Sequence, residues 1–341
     1  MSSCKTLKSV LLTCLLLVTP AGLPAATLFE EDSILEVQLT GPMGKLIQDK
    51  EKRIELPFSL TIDDRQIDLK VRARGNSRMR VCDFPPLRFN FENSDTAGSP
   101  FEGQGKIKLV TRCRKTSSSK QDVLEEYAAY RIFGLLSDVS YRVRLLNITY
   151  DDTDNRIRDK YSQSHAFLIE PTKHMTSRVG GRISELPAVA LSWMDDSQAA
   201  LVYVFQYLVA NTDWSFVSPD KDRDCCHNIN LININGKQFP VPYDFDLAGL
   251  VNADYAFPDP SLRLRRVTIR RYLGFCTDTD VLREAIKTVN SSKQAILDVI
   301  NGLPSLSDKE KTSRVDYLQR FFKEAQDEEK IISKFEKRCH S

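Results

Sequence analysis

One stretch constrains the fold more than any other. DDSQAALVYVFQYLVAN, residues 195–211, opens on a cluster of N-cap residues (Asp195, Asp196, Ser197) and is then apolar almost all round. A helix without a polar stripe must be buried on every side, so the rest of the chain has to wall it in. The preceding part supplies strands. ILEVQLT, QIDLKVRARG, PPLRFNF and KIKLVT, within residues 34–120, carry β-branched or alternating apolar residues and are separated by clusters of Gly, Asp, Asn and Ser. From Lys120 to about Ser137, KQDVLEEYAAYRIFGLLS is rich in helix formers. YRVRLLNITYDD and SHAFLIEP then read as two strands around the polar turn DDTDN.

Beyond the buried helix, NTDWSFVSPDKDRDCC is a loop by composition, and HNINLININGKQFPVPYDFDL is a hairpin turning at Asn235-Gly236. From Asp278 onward the pattern is amphipathic and helical, broken at Gly302 and Pro304. The expected fold class is α+β: a β-rich first part with one helix, then a mainly helical part holding a central β-hairpin.

The first residues read as an export signal. Lys5 and Lys8 precede the apolar run Val10 to Val18, and Pro20, Gly22 and Pro24 lead to the small pair Ala25-Ala26, where a peptidase could cut. A spanning helix needs about 20 apolar residues, twice what this run offers. Cys14 leaves a lipoprotein as the lesser alternative. The expected divisions are a signal peptide at 1–26, a β-rich unit at 27–170 and a helical unit at 171–341. The protein is expected outside the cytoplasm, in the periplasm or the medium, with no transmembrane segment.

Removing the leader takes two lysines from 48 basic residues and none from 46 acidic ones. The remaining chain is neutral, so no global field draws it to nucleic acid or an anionic membrane. Six cysteines remain: Cys82, Cys113, Cys225, Cys226, Cys276 and Cys339. An even count in an exported chain favours disulfides. Cys82 and Cys113 flank two predicted strands and suit a bridge. The neighbours Cys225 and Cys226 are poorly placed to join each other and are expected to reach Cys276 and Cys339. A zinc site from Cys225, Cys226 and His227 is the alternative, without the usual ligand spacing.

Three features stand within 36 residues: Asp213 after the buried helix, Asn228 opening the hairpin and Asp244-Phe245-Asp246 closing it. The turn at Asn235-Gly236 should bring Asn228 and Asp244 together at the hairpin's open end. Carboxylate and amide oxygens converging there suit a hard cation such as Mg²⁺, which keeps waters and takes substrate phosphate oxygens. Asp213 could accept a proton from an attacking hydroxyl. Base, amide and metal-binding acid are the parts that phosphoryl transfer needs. Taken singly, each is an ordinary loop residue.

Their order resembles the CotH-type (spore coat protein H-like) atypical kinases and, more distantly, the HipA-type toxin kinases. ARGNSR (Ala73 to Arg78), KIKLVTRC with the helix QDVLEEYAAYRIFGLL, SHAFLIEP, and QYLVANTDW...HNINLI...VPYDFDLAG are similar to that family's segments in sequence order, over roughly residues 66–250. The resemblance implies a two-lobed protein-kinase-like fold using ATP and Mg²⁺ or Mn²⁺ to phosphorylate a hydroxyl on a protein, small molecule or glycan. It implies Asp213 as catalytic aspartate, Asn228 and Asp244 as metal ligands with Asp246 a third donor, and Glu170 at the hinge receiving the base through backbone groups. Arg74, Gly75 and Asn76 would lie near the phosphates. Lys108 would contact them and pair with Glu126, for which Glu125 competes. The chain departs from the family at Pro85-Pro86 and in the long loop carrying Asp220, Asp222 and Asp224. A catalytically inactive binding or envelope-structural protein on the same fold is the alternative, and a metal-dependent hydrolase a third.

Trp214, Phe216 and Tyr243 read as packing residues. The run RLRRVTIRR, residues 263–271, reads as a solvated face with Arg–carboxylate pairing, an acidic or phosphate ligand being the other option.

Overall fold

The computed structural model describes residues 28–157, 162–186, 188–217 and 225–340. The expected leader and Asp220, Asp222 and Asp224 lie outside the described residues.

The buried helix forms at Asp196–Val209, here α5. Asp195 caps it, accepting from the Gln198 amide at 2.9 Å, and every side chain from Gln198 to Val209 is buried. The mixed α/β fold around it has two hydrophobic cores.

Seven strands close into a barrel: β1 (Leu35–Gly41), β2 (Leu56–Ile62), β3 (Arg65–Ala73), β4 (Leu87–Asn90), β5 (Lys106–Val110), β6 (Val143–Asp152) and β7 (Gln163–Ile169), in the order β1-β2-β3-β4-β5-β7-β6. The pairings are antiparallel except the closing one, where β1 runs parallel to β6 from Leu35 opposite Leu146 to Gly41 opposite Asp152. Closure leaves no unpaired edge, a feature absent from the two-lobed expectation. β2 is the barrel strand that the sequence patterns did not single out. Pro57 interrupts its apolar run, and proline argues against an interior strand.

The period-2 pleat sorts side chains between the cores. Leu146, Ile148, Ala166 and Leu168 point into the barrel. Their neighbours Leu145, Phe167 and Ile169 join the second core, so β6 and β7 form a shared wall buried on both faces. Helix α3 (Ser118–Leu136) lies against that wall, with the Phe167 ring 5.9 Å from Tyr127 and 5.6 Å from Tyr130. Two short helices, α1 (Met43–Gln48) and α2 (Ser77–Val81), attach to the barrel.

After α4 (Thr172–Arg178), a three-stranded sheet of β8 (Arg182–Ile183), β9 (Ile229–Ile234) and β10 (Lys237–Pro242) packs beside α5. The β9–β10 hairpin turns at Asn235 and Gly236, both at positive φ, as an Asn-Gly turn requires. Helices α6 (Thr279–Ser291), α7 (Lys293–Asn301), α8 (Asp308–Glu324) and α9 (Glu328–Glu336) complete the second core. No helix among the described residues is long and apolar enough to cross a membrane.

Cys82 bonds Cys113, as the strand-flanking positions suggest. The other expected pairing is corrected: Cys225 bonds Cys226, and Cys276 bonds Cys339 across 63 residues. Neighbouring sulfurs thus do meet, and with both in a disulfide neither is the thiolate that zinc needs. The Cys225, Cys226, His227 zinc alternative falls with them.

Candidate active site

Strand pairing at the hairpin's base sets the site. The last paired residues are Ile229 and Pro242, and the Tyr243 amide donates to Asn228 O at 3.1 Å. Asn228 and Asp244 therefore flank the open end. Both adopt left-handed backbone, at φ 50° and 63°, which Asn and Asp tolerate better than other L-residues. The Asp244 turn is held from α3, where Tyr130 Oη accepts from its amide at 2.9 Å.

Asp213 is held by Asn228 through two contacts and by His227 through a third. The Asn228 Nδ2 donates to Asp213 O at 2.8 Å and to Oδ2 at 2.9 Å. His227 Nε2 lies 2.8 Å from Asp213 Oδ1. An ionised carboxylate can only accept, so the proton of that bond sits on the imidazole. Mutual backbone bonds between Ser215 and His227, at 3.0 and 3.1 Å, close the intervening loop at its base. The Asp213 side chain remains 36% exposed. Long sequence spacing between Asp213 and Asn228 does not separate them, because the loop leaves and returns at one place.

Behind Asp244 lies a buried charge cluster. Arg78 donates from Nη2 to both oxygens of Glu126 at 2.8 Å, from Nε to Asp246 Oδ2 at 2.8 Å, and from Nη2 to Asp244 Oδ1 at 3.1 Å. Burial pushes the Glu126 and Asp246 carboxyls upward, and the Arg78 guanidinium opposes it. The expected Lys108–Glu126 pair is thereby corrected: Arg78 is Glu126's partner. Lys108, on β5, sits with Nζ 5.3 Å from the Tyr243 ring centre. Glu125 faces away toward Arg314, bonded through both carboxylate oxygens.

A cleft of about 260 Å³ opens in front of Asp244. The barrel side contributes Arg74, Arg88, Lys106 and Lys108; the end of β7 and the link after it contribute residues 169–172; the hairpin end contributes Tyr243 and Asp244. Arg88 is paired with Glu55 at 2.7 Å and Lys106 with Glu92 at 3.0 Å. The Arg74 guanidinium forms no hydrogen bond or ion pair among the described residues. Burial pulls it below its ordinary value, against the attraction of Asp244. A half-buried guanidinium with no partner among the described residues, on a cleft wall, is a ready site for an anion.

The other expected nucleotide residues separate. Gly75, at φ 100°, and Asn76 do not line the cleft; Gly75 O and Asn76 Oδ1 accept from Arg53 at 2.9 and 3.2 Å. Glu170 does line it, but its amide donates to Arg142 O at 2.9 Å and its carboxylate pairs with Arg178. Only its carbonyl is left to face a base.

Among the described residues, no three His, Cys, Asp or Glu side chains gather as a metal cluster. Mg²⁺ usually takes only one or two carboxylates, with waters and substrate phosphates filling the rest. Asp244, 46% exposed, suits that requirement, and Asn228 can offer Oδ1 while its Nδ2 is engaged. Asp246 does not suit it, since Arg78 and Tyr255 both bond its buried carboxylate.

Arg78 and Tyr130 are site residues without an expected role in the sequence, and His227, expected only as a zinc ligand, instead contacts Asp213. Arg78 stands in the ARGNSR segment, and only its burial reveals that it gathers three carboxylates.

No family model matches the chain, and no curated protein does. Among solved structures, the crystal structure of the Helicobacter pylori proinflammatory kinase CtkA aligns over 83% of this chain and 90% of that one, at 11% identity and a TM-score of 0.38. A likeness of that size establishes neither family nor activity.

Proposed function

We propose that this protein is an exported kinase-like phosphotransferase that uses ATP and Mg²⁺ or Mn²⁺ to phosphorylate a hydroxyl on a protein. The observation that carries the reading is the cleft itself: Arg74, without a partner among the described residues, on the barrel wall and an exposed Asp244 opposite, with the Asp213–His227–Asn228 group at the same hairpin end. Charge complementarity to a polyphosphate chain explains Arg74 and Lys108, and the apolar Val110 and Ile169 beside the Glu170 carbonyl suit a base. The barrel and the helical part, hinged at residues 169–172, would act as the two lobes.

In this reading Asp213 takes the proton from the acceptor hydroxyl as its oxygen attacks the γ-phosphorus. The bond from that phosphorus to the β-phosphate oxygen breaks, and ADP leaves. His227 and Asn228 hold the Asp213 carboxylate in one orientation, which matters because this chemistry depends chiefly on positioning. Arg74 and Lys108 hold the phosphates. A divalent ion bound by Asp244 and Asn228 would neutralise charge on the transferring group. Three disulfides suit the oxidising surroundings of an exported protein.

A second reading, a catalytically silent binding protein, is favoured by one observation: Arg78 already supplies a cation to Asp244. Incubating the purified protein with Mg²⁺ and labelled ATP separates the two. Labelled acceptor or autophosphorylation supports transfer. A nucleotide-induced thermal shift without label supports silent binding, and neither result removes the nucleotide site altogether.

A further inference from the structure

The basic run at residues 263–271 is not used by this site, and among the described residues its expected Arg–carboxylate pairing is not found. The structure gives the run backbone anchors instead. Arg270 turns inward, donating from Nε to Leu208 O at 3.1 Å and from Nη2 to Tyr317 O at 2.7 Å, with its guanidinium 4.3 Å from the Tyr317 ring centre. Val267 is buried, and Tyr317 Oη donates to Thr268 O at 3.1 Å. The anchors leave Arg263, Arg265 and Arg266 exposed. Among the described residues, none of these three guanidiniums nor that of Arg271 makes a hydrogen bond or ion pair.

Backbone contacts tie this strip to the loop that carries Asp213. A Cβ on Gly249 would come within 2.5 Å of Val267 O, so the strip's backbone lies directly on Gly249. The Gly249 amide donates to Ala210 O at 3.0 Å, and the Leu250 amide to Val209 O at 2.9 Å. Ala210 ends α5, three residues before Asp213. The exposed ring of Phe257, at 78%, precedes the arginines in the same connecting segment.

Like charges crowded on an anchored backbone repel one another, and a carboxylate-bearing partner relieves that repulsion with charge-assisted, bidentate bonds. Nucleic acid is a poorer match. A binder that neutralises about 6–10 phosphates uses more cations than this strip offers, and a chain of net charge +2 adds no strong wider field. The geometry points to this strip as the docking site for the phospho-acceptor, a protein segment in which Asp or Glu residues flank the reacting hydroxyl. The fate of the bound segment rests on the phosphotransferase reading; the binding does not.

The test uses the full mature chain and fluorescein-labelled peptides carrying one serine flanked by Glu, by Gln or by Lys, read by anisotropy. The Glu peptide should bind about tenfold or more tightly than the Gln peptide, and weaken as salt rises from about 50 to about 200 mM. The triple change Arg263→Ala, Arg265→Ala, Arg266→Ala should abolish that preference while thermal midpoint and ATP binding stay unchanged. The swap Arg265→Glu with Arg266→Glu should shift preference to the Lys peptide. Equal binding of Glu and Gln peptides, or displacement of the Glu peptide by short duplex DNA or phosphatidylglycerol vesicles at lower concentration, would overturn the assignment. Arginine-dependent binding without phosphate transfer would instead sink the phosphotransferase reading and leave the docking strip standing. Transfer to Gln-flanked and Glu-flanked serines with equal KM would do the reverse.

Discussion

One nitrogen of Arg78 reaches both carboxylate oxygens of Glu126 at 2.8 Å, where neither side chain has appreciable contact with solvent. The pair joins α2 on the barrel to α3 on the shared wall, and through Asp244 and Asp246 it also fastens the end of the hairpin. One cation thus holds three parts of the chain around the candidate site.

Replacing Arg78 by Met should destabilise the fold by about 3–5 kcal/mol, because it leaves buried carboxylates without a counter-charge. Urea unfolding at neutral pH measures this. Glu126→Gln removes one carboxylate and keeps a hydrogen-bonding partner, so its cost should be distinctly smaller. Equal costs would mean that the cluster does not act as a charge-balanced unit.

Stability should fall as pH rises through the range set by the α3 acids. Burial, with Glu125 and Asp254 nearby, raises Asp122 from 3.8 to about 8, and burial raises Glu125 from 4.5 to about 7 against the pull of Arg314. For a carboxyl whose folded pKa is raised, the folded chain holds its proton longer than the unfolded one. Its favourable contribution is therefore complete below about pH 4 and is lost as pH climbs to about 8. Asp122→Asn should flatten this decline, raising stability at pH 8 and changing little at pH 4. Thermal midpoints across that range decide it.

Asp213→Asn should lower kcat by about 10²–10⁴-fold while ATP binding, read by thermal shift, is kept. His227→Ala should lower kcat by a smaller factor, since it removes an orienting bond and not the base. A nucleotide affinity that falls in parallel with kcat would place Asp213 in binding and not in proton transfer.

Arg74→Ala should weaken ATP binding by about 10- to 100-fold, equivalent to a charge-assisted contact of about 1.5–3 kcal/mol, without reducing protein stability. Lys106→Ala should weaken it less, because Lys106 already has Glu92 as a partner. Calorimetric titration of both variants with ATP and Mg²⁺ tests the ranking.

Peptide mapping without reduction should recover Cys225 and Cys226 in one peptide two mass units (~2 Da) light, as a disulfide within that peptide requires. A peptide linking either cysteine to Cys276 or Cys339 would refute that pairing. Serine at Cys82 and Cys113 should cost ~3–4 kcal/mol, the loop-closure value for a 31-residue separation.

The sequence alone determined the elements whose physics is local. The buried α5 follows from an apolar run with an Asp195 cap, α3 from its helix-forming composition, and the hairpin from Asn235-Gly236. The hairpin's symmetry also made the approach of Asn228 and Asp244 legible. Tertiary structure alone decided what depends on distant partners. Barrel closure needs β1 to find β6 across about a hundred residues, and no local pattern encodes that pairing. Glu126 went to Arg78 and not to Lys108 because burial, invisible in a pattern of charges, made a fully satisfied partner decisive. The same holds at the surface: the arginines of residues 263–271 look alike in sequence. Only packing shows that Arg270 anchors the strip while Arg263, Arg265 and Arg266 have no partner among the described residues.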